Sequence, residues 1–263
     1  MYFVRLVLLG VILYTSCFVR PSLAQDNQLS EQQKQVYELI VSSLRAGFEK
    51  GDLATYMKIW APEAKIISAR SLTDDSHNVV ITRAQNEQTK RILFSMEQTL
   101  QMKPKVRSVE INKDSAVVFL TVELHYLQQP FVQTVGERYL LQKTDNNWRI
   151  TENRWWVEKD NYDGKVQVHS PQFYQQIDSE IAKLPKNTGI MDRVRLLYLA
   201  RRAQQAFTEL EAHIYALPNP SSALWYQLGW TATWVGNAQV SVEAFRKAHA
   251  LDPNLLIPKT ALP

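Results

Sequence analysis

The spacing of apolar residues splits the chain into a stretch that changes period midway and a stretch that stays helical throughout. From Ser30 to about Lys50, Val36, Leu39, Ile40, Leu44 and Phe48 fall on one helical face, and Ser30 with Gln33 makes a capping box. Gly51-Asp52 ends this helix and begins a short second one, with Leu53, Tyr56, Met57 and Trp60 directed inward. Ala61-Pro62 then turns the chain into a predicted strand over 65–69, followed by a polar loop over 71–76 and a short strand over 77–81. Thr82 and Gln85 form a second capping box, opening a helix that reaches about Leu100. From Lys103 the period is two, and residues 106–111, 115–126, 131–142 and 148–157 predict four consecutive strands. Asn112-Lys-Asp114 turns the first pair and Gln128-Gln-Pro130 breaks the second connection. Thr144-Asp-Asn-Asn147 closes the last hairpin, because Asn and Asp tolerate left-handed backbone. Helices first and an antiparallel meander after them read as an α+β domain with its helices on one face of the sheet.

Beyond this domain, residues 161–170 are polar without a clear period and read as a linker. Ser170-Pro171 supplies a cap and a proline at the first helical position, for a helix to about Leu184. Pro185-Lys-Asn-Thr-Gly189 interrupts it, and one longer helix is predicted from about Met191 to Ala216, stopped by Leu217-Pro-Asn-Pro220.

Two stretches resemble known families. Residues 49–64, Glu-Lys-Gly-Asp-Leu-Ala-Thr-Tyr-Met-Lys-Ile-Trp-Ala-Pro-Glu-Ala, then Val109-Glu-Ile-Asn-Lys-Asp-Ser-Ala-Val-Val118 and the closing hairpin at 136–156 look like nuclear-transport-factor-like (SnoaL-like, ketosteroid-isomerase-like) domains. The resemblance covers about 30–160 and implies a cone-shaped antiparallel sheet with helices on its concave face. That fold hosts isomerases, dehydratases, hydrolases, transport adaptors and kinase association domains, so it implies no single reaction. Farther on, Trp225, Leu228, Gly229, Gly236, Phe245, Ala248 and Pro253 resemble one tetratricopeptide repeat over about 222–255. Ala232 and Ser241 depart from that pattern, and Glu211 and Asn219 show that the preceding copy is degenerate. The expected organisation is a leader at 1–24, a cone domain at 25–160, a linker at 161–170 and an all-α helical-hairpin domain at 171–263.

The leader follows from charge as much as from hydropathy. Arg5 precedes an apolar run to Val19, and Arg20-Pro-Ser-Leu-Ala24 places small residues at the spacing of an export cleavage site. The run falls short of the ~20 residues a spanning helix needs, so a cleaved signal peptide and an exported protein, periplasmic or secreted, are expected. An uncleaved anchor holding the protein to a membrane is the alternative. Without residues 1–24, which hold Arg5 and Arg20 and no acid, the formal charge falls from +4 to +2. A nearly neutral chain with no basic stripe is not built for nucleic acid. The single cysteine, Cys17, leaves with the leader, so neither disulfides nor a thiol nucleophile are expected in the rest.

Candidate chemistry in the cone is sparse. On the strand at 115–126, Ala116, Val118, Leu120, Val122 and Leu124 share the face expected to be concave, which puts Glu123 and His125 on the outside. Tyr56, Trp60, Arg138, Trp155 and Trp156 are the pocket candidates, with Trp155 and Trp156 necessarily on opposite faces. The family resemblance implies a pocket arginine at Arg138, suited to a ligand carboxylate. Its facing depends on the register set by the turn, and the alternatives are a cross-strand pair with Glu152 or a solvent position. No acid is flanked by apolar residues as isomerase chemistry of this class would need. Asp74-Asp75-Ser-His77 reads as a solvated loop, and no metal or cofactor is expected.

Three readings follow. The first is an exported, non-catalytic binding protein. In it the cone supplies a site for a small apolar or acidic ligand or a homodimer interface through the sheet, and the helical region binds a protein partner. The second is a small-molecule enzyme of the SnoaL-like class (isomerase, dehydratase or hydrolase), with Arg138 orienting the substrate and Tyr56 donating a hydrogen bond. The third is a membrane-tethered assembly factor, which depends on retention of residues 1–24.

Overall fold

The computed structural model describes residues 29–96, 100–126, 131–161, 164–185 and 187–262, so the leader at 1–24 and the turn at Gln128-Gln-Pro130 lie outside it. Two helices open the chain, α1 (Glu31–Phe48) and α2 (Leu53–Lys58), capped by Ser30 and Asp52 as their sequences require. Strand β1 (Trp60–Ser68) follows at once, so Trp60 opens a strand and does not end the second helix. After β2 (Val79–Thr82), the Thr82–Gln85 capping box starts α3 (Arg83–Phe94), which stops before the predicted Leu100. Leu100 instead begins the meander: β3 (Leu100–Asn112), β4 (Ser115–Tyr126), β5 (Phe131–Thr144) and β6 (Asn147–Asp160). Asp145 and Asn146, with φ of 49° and 60°, make the tight turn that the Asp-Asn-Asn cluster predicts.

The strand order is β2-β1-β6-β5-β4-β3, and β1 runs parallel to β6. The sheet is therefore mixed, not wholly antiparallel. The meander accounts for every antiparallel pair from β3 to β6, but β1 docks beside the last strand of that meander and shares its direction. The predicted linker is also partly sheet: β7 (Gln167–Val168) folds back on the end of β6, pairing Lys159 with Val168. The β5–β6 ladder has two irregularities, one between Thr134 and Val135 and one between Leu140 and Leu141, and the second sets the facing of β6 relative to the turn. Leu140 pairs with Glu152, yet Leu141 pairs with Ile150, so Thr151 is an extra residue in the ladder, a β-bulge. Its hydroxyl bonds the Leu140 carbonyl at 3.2 Å, and beyond it the β6 side chains change face.

Helices α4 (Pro171–Lys183), α5 (Ile190–Leu199), α6 (Ala203–Ala216), α7 (Ser222–Trp234) and α8 (Ala238–Leu251) complete the fold, with a short 3-10 turn at Lys259–Ala261. The predicted single helix from Met191 to Ala216 is thus two. It breaks at Arg201, whose φ is 57°: the Arg201 amide bonds the Tyr198 carbonyl and the Arg202 amide the Leu197 carbonyl, which is the Schellman ending of a helix. Glycine would ordinarily mark such an ending, and none is present to read.

Val36, Ile40 and Leu44 of α1 pack with Val106, Val118, Leu120, Val122 and Leu141 to form the core inside the sheet's curve. A second core is purely helical, built on Leu197, Leu210, Ile214 and Leu228. A third joins the two regions: Ile92 of α3 packs with Phe245 of α8 and with Ile257 and Ala261 of the tail. At Gly229 a β-carbon would come within 2.8 Å of the Phe245 ring, so this glycine lets α7 and α8 approach.

Candidate functional site in the cone

On β4 the expected alternation holds: Ala116, Val118, Leu120 and Val122 are buried in the cone, while Glu123 and His125 meet each other on the outer face at 3.4 Å. Following the ladder to β5, Val118 faces Tyr139 and Leu120 faces Glu137. The inward set on β5 is therefore Val135, Glu137, Tyr139 and Leu141. Arg138 points to the other face, where its guanidinium pairs with Glu152. This corrects the expectation that Arg138 enters the pocket, and the cross-strand alternative is what occurs. The correction carries a second one. An acid does stand among apolar residues on the inner face, one position before the arginine.

The bulge sorts the tryptophans in the same way. Trp155 pairs with Glu137 and packs on the cone core, whereas Trp156 pairs with Gly136 and lies on the outer face. A β-carbon at Gly136 would fall 2.3 Å from the Trp156 ring, so Trp156 lies flat across a backbone that must be glycine. Of the five pocket candidates, Tyr56, Trp60 and Trp155 belong to the cone, and Arg138 and Trp156 do not.

The inner polar cluster is built on Glu137. The Tyr139 hydroxyl donates to its Oε2. Burial pushes the Glu137 carboxyl up, against the opposing effects of the Tyr139 hydrogen bond and the Lys90 charge. Burial, and then the nearby carboxylate, likewise hold Tyr139 well above the usual tyrosine value. Tyr56 is raised by burial, the Asn86 side chain opposing and Glu137 adding to the effect. Lys90, on α3, lies 4.5 Å above the Phe48 ring and 6.0 Å from the centre of Tyr56. Its ammonium is pushed down to about 8 by burial, with Glu137 pulling the other way.

The surroundings are aromatic. Phe48, Tyr56 and Phe94 meet edge to face at centroid separations of 5.3–6.0 Å, and Trp60 lies 5.6 Å from Tyr56. Gly47 makes this possible, since a β-carbon there would be 2.7 Å from Phe94. A buried donor in the same interior, the Trp60 Nε1, has no acceptor among the described residues, and the Asn86 amide lies against the Tyr56 hydroxyl. The interior therefore offers the Tyr56 hydroxyl and the Trp60 indole N–H as donors, beside a carboxyl whose value burial raises, to an acceptor within apolar walls. Among the described residues no group of His, Cys, Asp and Glu is arranged to hold a metal ion, and Asp74 and Asp75 serve instead as hydrogen-bond acceptors for Ser76, Asn78 and Arg154.

Outside the cone, a depression of about 540 Å³ lies between α2 and α3, lined by Leu53, Met57, Arg83, Glu87 and Arg91. Sequence reasoning missed Glu137, Tyr139, Lys90 and Asn86. For the first two the signal was the alternation Val135, Glu137, Tyr139, Leu141. For Lys90 and Asn86 it was their i, i+4 spacing on one face of the helix that the Thr82–Gln85 capping box opens.

Comparison with known proteins agrees with this geometry. Residues 36–153 match the sequence profile of the SnoaL-like domain. This part of the chain thus has the nuclear-transport-factor-like (NTF2-like) α+β fold, with a mixed sheet and helices, followed by a region of several helices. No curated protein matches the sequence. Among solved structures, an NTF2-like protein of unknown function from Pseudomonas putida is similar at 10% identity and a TM-score of 0.42, over 52% of this chain and 94% of that one. A domain with a cystatin-like fold from Nostoc punctiforme is similar at 13% identity and a TM-score of 0.42, over 72% of this chain and 100% of that one. A ketosteroid isomerase-like protein from Erwinia carotovora follows at 14% identity and 0.39, over 49% and 98%.

Proposed function

We propose that the protein binds a small, largely apolar molecule bearing a carbonyl or hydroxyl oxygen, held in the cone by Tyr56, Tyr139 and Glu137. One observation carries this reading: a carboxyl, two tyrosines, a lysine, an amide and an unpartnered indole N–H are gathered inside an aromatic shell that could have been closed by apolar side chains alone. Buried donors without acceptors are costly, about 1–3 kcal/mol each, and a ligand oxygen would offset that. The protein acts after export, with the leader at 1–24 removed. The α7–α8 hairpin is read as one tetratricopeptide-like repeat serving a protein partner, through the face where Lys247 and Leu251 of α8 lie beside Tyr215 of α6. Tyr215 and Leu251 are exposed there, and the Lys247 ammonium lies 4.3 Å from the Trp225 ring. Native mass spectrometry of the purified chain, with titration of cyclic ketones followed by tryptophan fluorescence, tests the cone. Saturable binding that Y56F and E137Q each weaken at least tenfold supports it; binding indifferent to both variants refutes it.

A second reading, proton transfer on such a ligand, is favoured by the elevated Glu137 carboxyl beside the Tyr139 hydroxyl. Exchange of α-hydrogens of a bound ketone with deuterated solvent, lost in E137Q, would establish it over simple binding.

A further inference from the structure

Among the described residues Arg138 faces away from the cone, yet the helical region brings an arginine to the edge of it. Arg201 lies with its guanidinium 4.5 Å from the Trp155 ring, and Trp155 is the cross-strand neighbour of Glu137. Trp234, at the end of α7, packs on the same indole at 5.9 Å. Arg201 also donates to the Ser68 hydroxyl at 2.8 Å, while its Nε is buried with no acceptor among the described residues.

Charge around it is unbalanced. Arg70 makes a two-pronged ion pair with Asp178, which also takes Arg202 at 2.9 Å, so one carboxylate serves two guanidiniums. Arg201 has no carboxylate within ion-pair distance among the described residues; Asp160, whose field reaches it, is bonded to His169 at 3.0 Å. An Nε of Arg202 is likewise buried without an acceptor. Backbone geometry gives an independent sign. Arg201 occupies the left-handed position of a Schellman ending, where glycine is free of strain and a long side chain is not. A residue kept in an unfavourable backbone state points to its side chain being used.

We propose that Arg201 is an anion-recognition residue for the cone, binding the carboxylate of a small aromatic or apolar acid whose body lies against Trp155 and Trp234. The site is then shared between the two regions and incomplete without the helices. This rests on the reading of the cone as a small-molecule site, and it adds the acid group that distinguishes one ligand class from another. A guanidinium held 4.5 Å from an indole ring, with an Nε that has no acceptor among the described residues, is placed to take a carboxylate, and the partly apolar surroundings strengthen the pairing.

The test compares trans-cinnamate with cinnamamide, by calorimetric titration of the full chain and quenching of tryptophan fluorescence. The wild type is expected to bind the acid at least tenfold more tightly than the amide. R201G, which relieves the left-handed backbone, and R201M, which keeps side-chain bulk, are each expected to erase that preference while circular dichroism remains unchanged. Equal affinity for acid and amide in the wild type, or a preference that survives both substitutions, overturns the role of Arg201 and leaves the cone reading standing. Binding of neither compound overturns this proposal, and the ketone titration then decides the cone reading separately.

Discussion

Glu137 and Lys90 place opposite demands on protonation within one interior, and both can be read as stability against pH. The folded protein holds the Glu137 proton more tightly than the unfolded chain does. Its contribution is therefore full below the ordinary glutamate value of about 4.3 and is lost as pH rises through the elevated folded value. Lys90 has the reverse sense from its own side: the folded protein releases that proton near 8, earlier than the unfolded chain. Stability is greatest above the ordinary lysine value and declines as pH falls toward 8. Thermal melts of E137Q should therefore fall less steeply than wild type as pH rises above the ordinary glutamate value. Melts of K90M should lack the wild-type gain between about pH 8 and pH 10. Wild-type slopes in both variants would show that these groups do not titrate in the folded interior. The pair also shows what the sequence hides at this scale. Leu140 and Leu141 are both apolar, so the β5 alternation is blurred near the turn, and the ladder to β4 decides that Glu137, not Arg138, faces inward.

Whole elements were more legible than the facing of their side chains. Both capping boxes, the β4 alternation and the Asp145-Asn146 turn follow from local residue chemistry, and each forms as that chemistry requires. The break between α5 and α6 was invisible because an arginine, not glycine, takes the left-handed position. The parallel placement of β1 depends on contacts far apart in sequence, which no local pattern encodes. The bulge at Thr151 matters most, since it puts Trp156 on the outer face over Gly136. Gly136→Ala should cost about 1–3 kcal/mol, because its β-carbon would occupy the Trp156 ring position. Urea unfolding measures this. Trp156→Ala in the same background should recover part of the loss, whereas a purely additive double variant would mean that the clash is not its source.

At the scale of the molecule, the helical region and the sheet are held as one body by buried chemistry of two kinds. Ile92 of α3 enters the apolar cluster of Phe245, Ile257 and Ala261, and a β-carbon at Gly236 would be 2.7 Å from Ile81. Beside this, Arg70, 6% exposed, reaches from the end of β1 to Asp178 on α4 and to the Ala200 carbonyl. Burial raises the Asp178 carboxyl, but the bonds and charges of Arg70 and Arg202 outweigh it and the value is lowered. This contribution is thus present above the ordinary aspartate value and lost as pH falls through the depressed one. Removing the acid leaves a buried guanidinium unpaired, the costly way to break an ion pair, so Asp178→Ala should lose about 3–5 kcal/mol. Replacing both partners, Arg70→Met with Asp178→Leu, removes the unpaired charge and should recover most of that loss, since an apolar pair of similar bulk avoids desolvation. If the two regions depend on this contact, Asp178→Ala will also show two calorimetric transitions where the wild type is expected to show one, with the helical region melting first. A single transition, shifted but not split, would locate the coupling in the Ile92–Phe245 cluster instead, and Ile92→Ala should then be the variant that separates them.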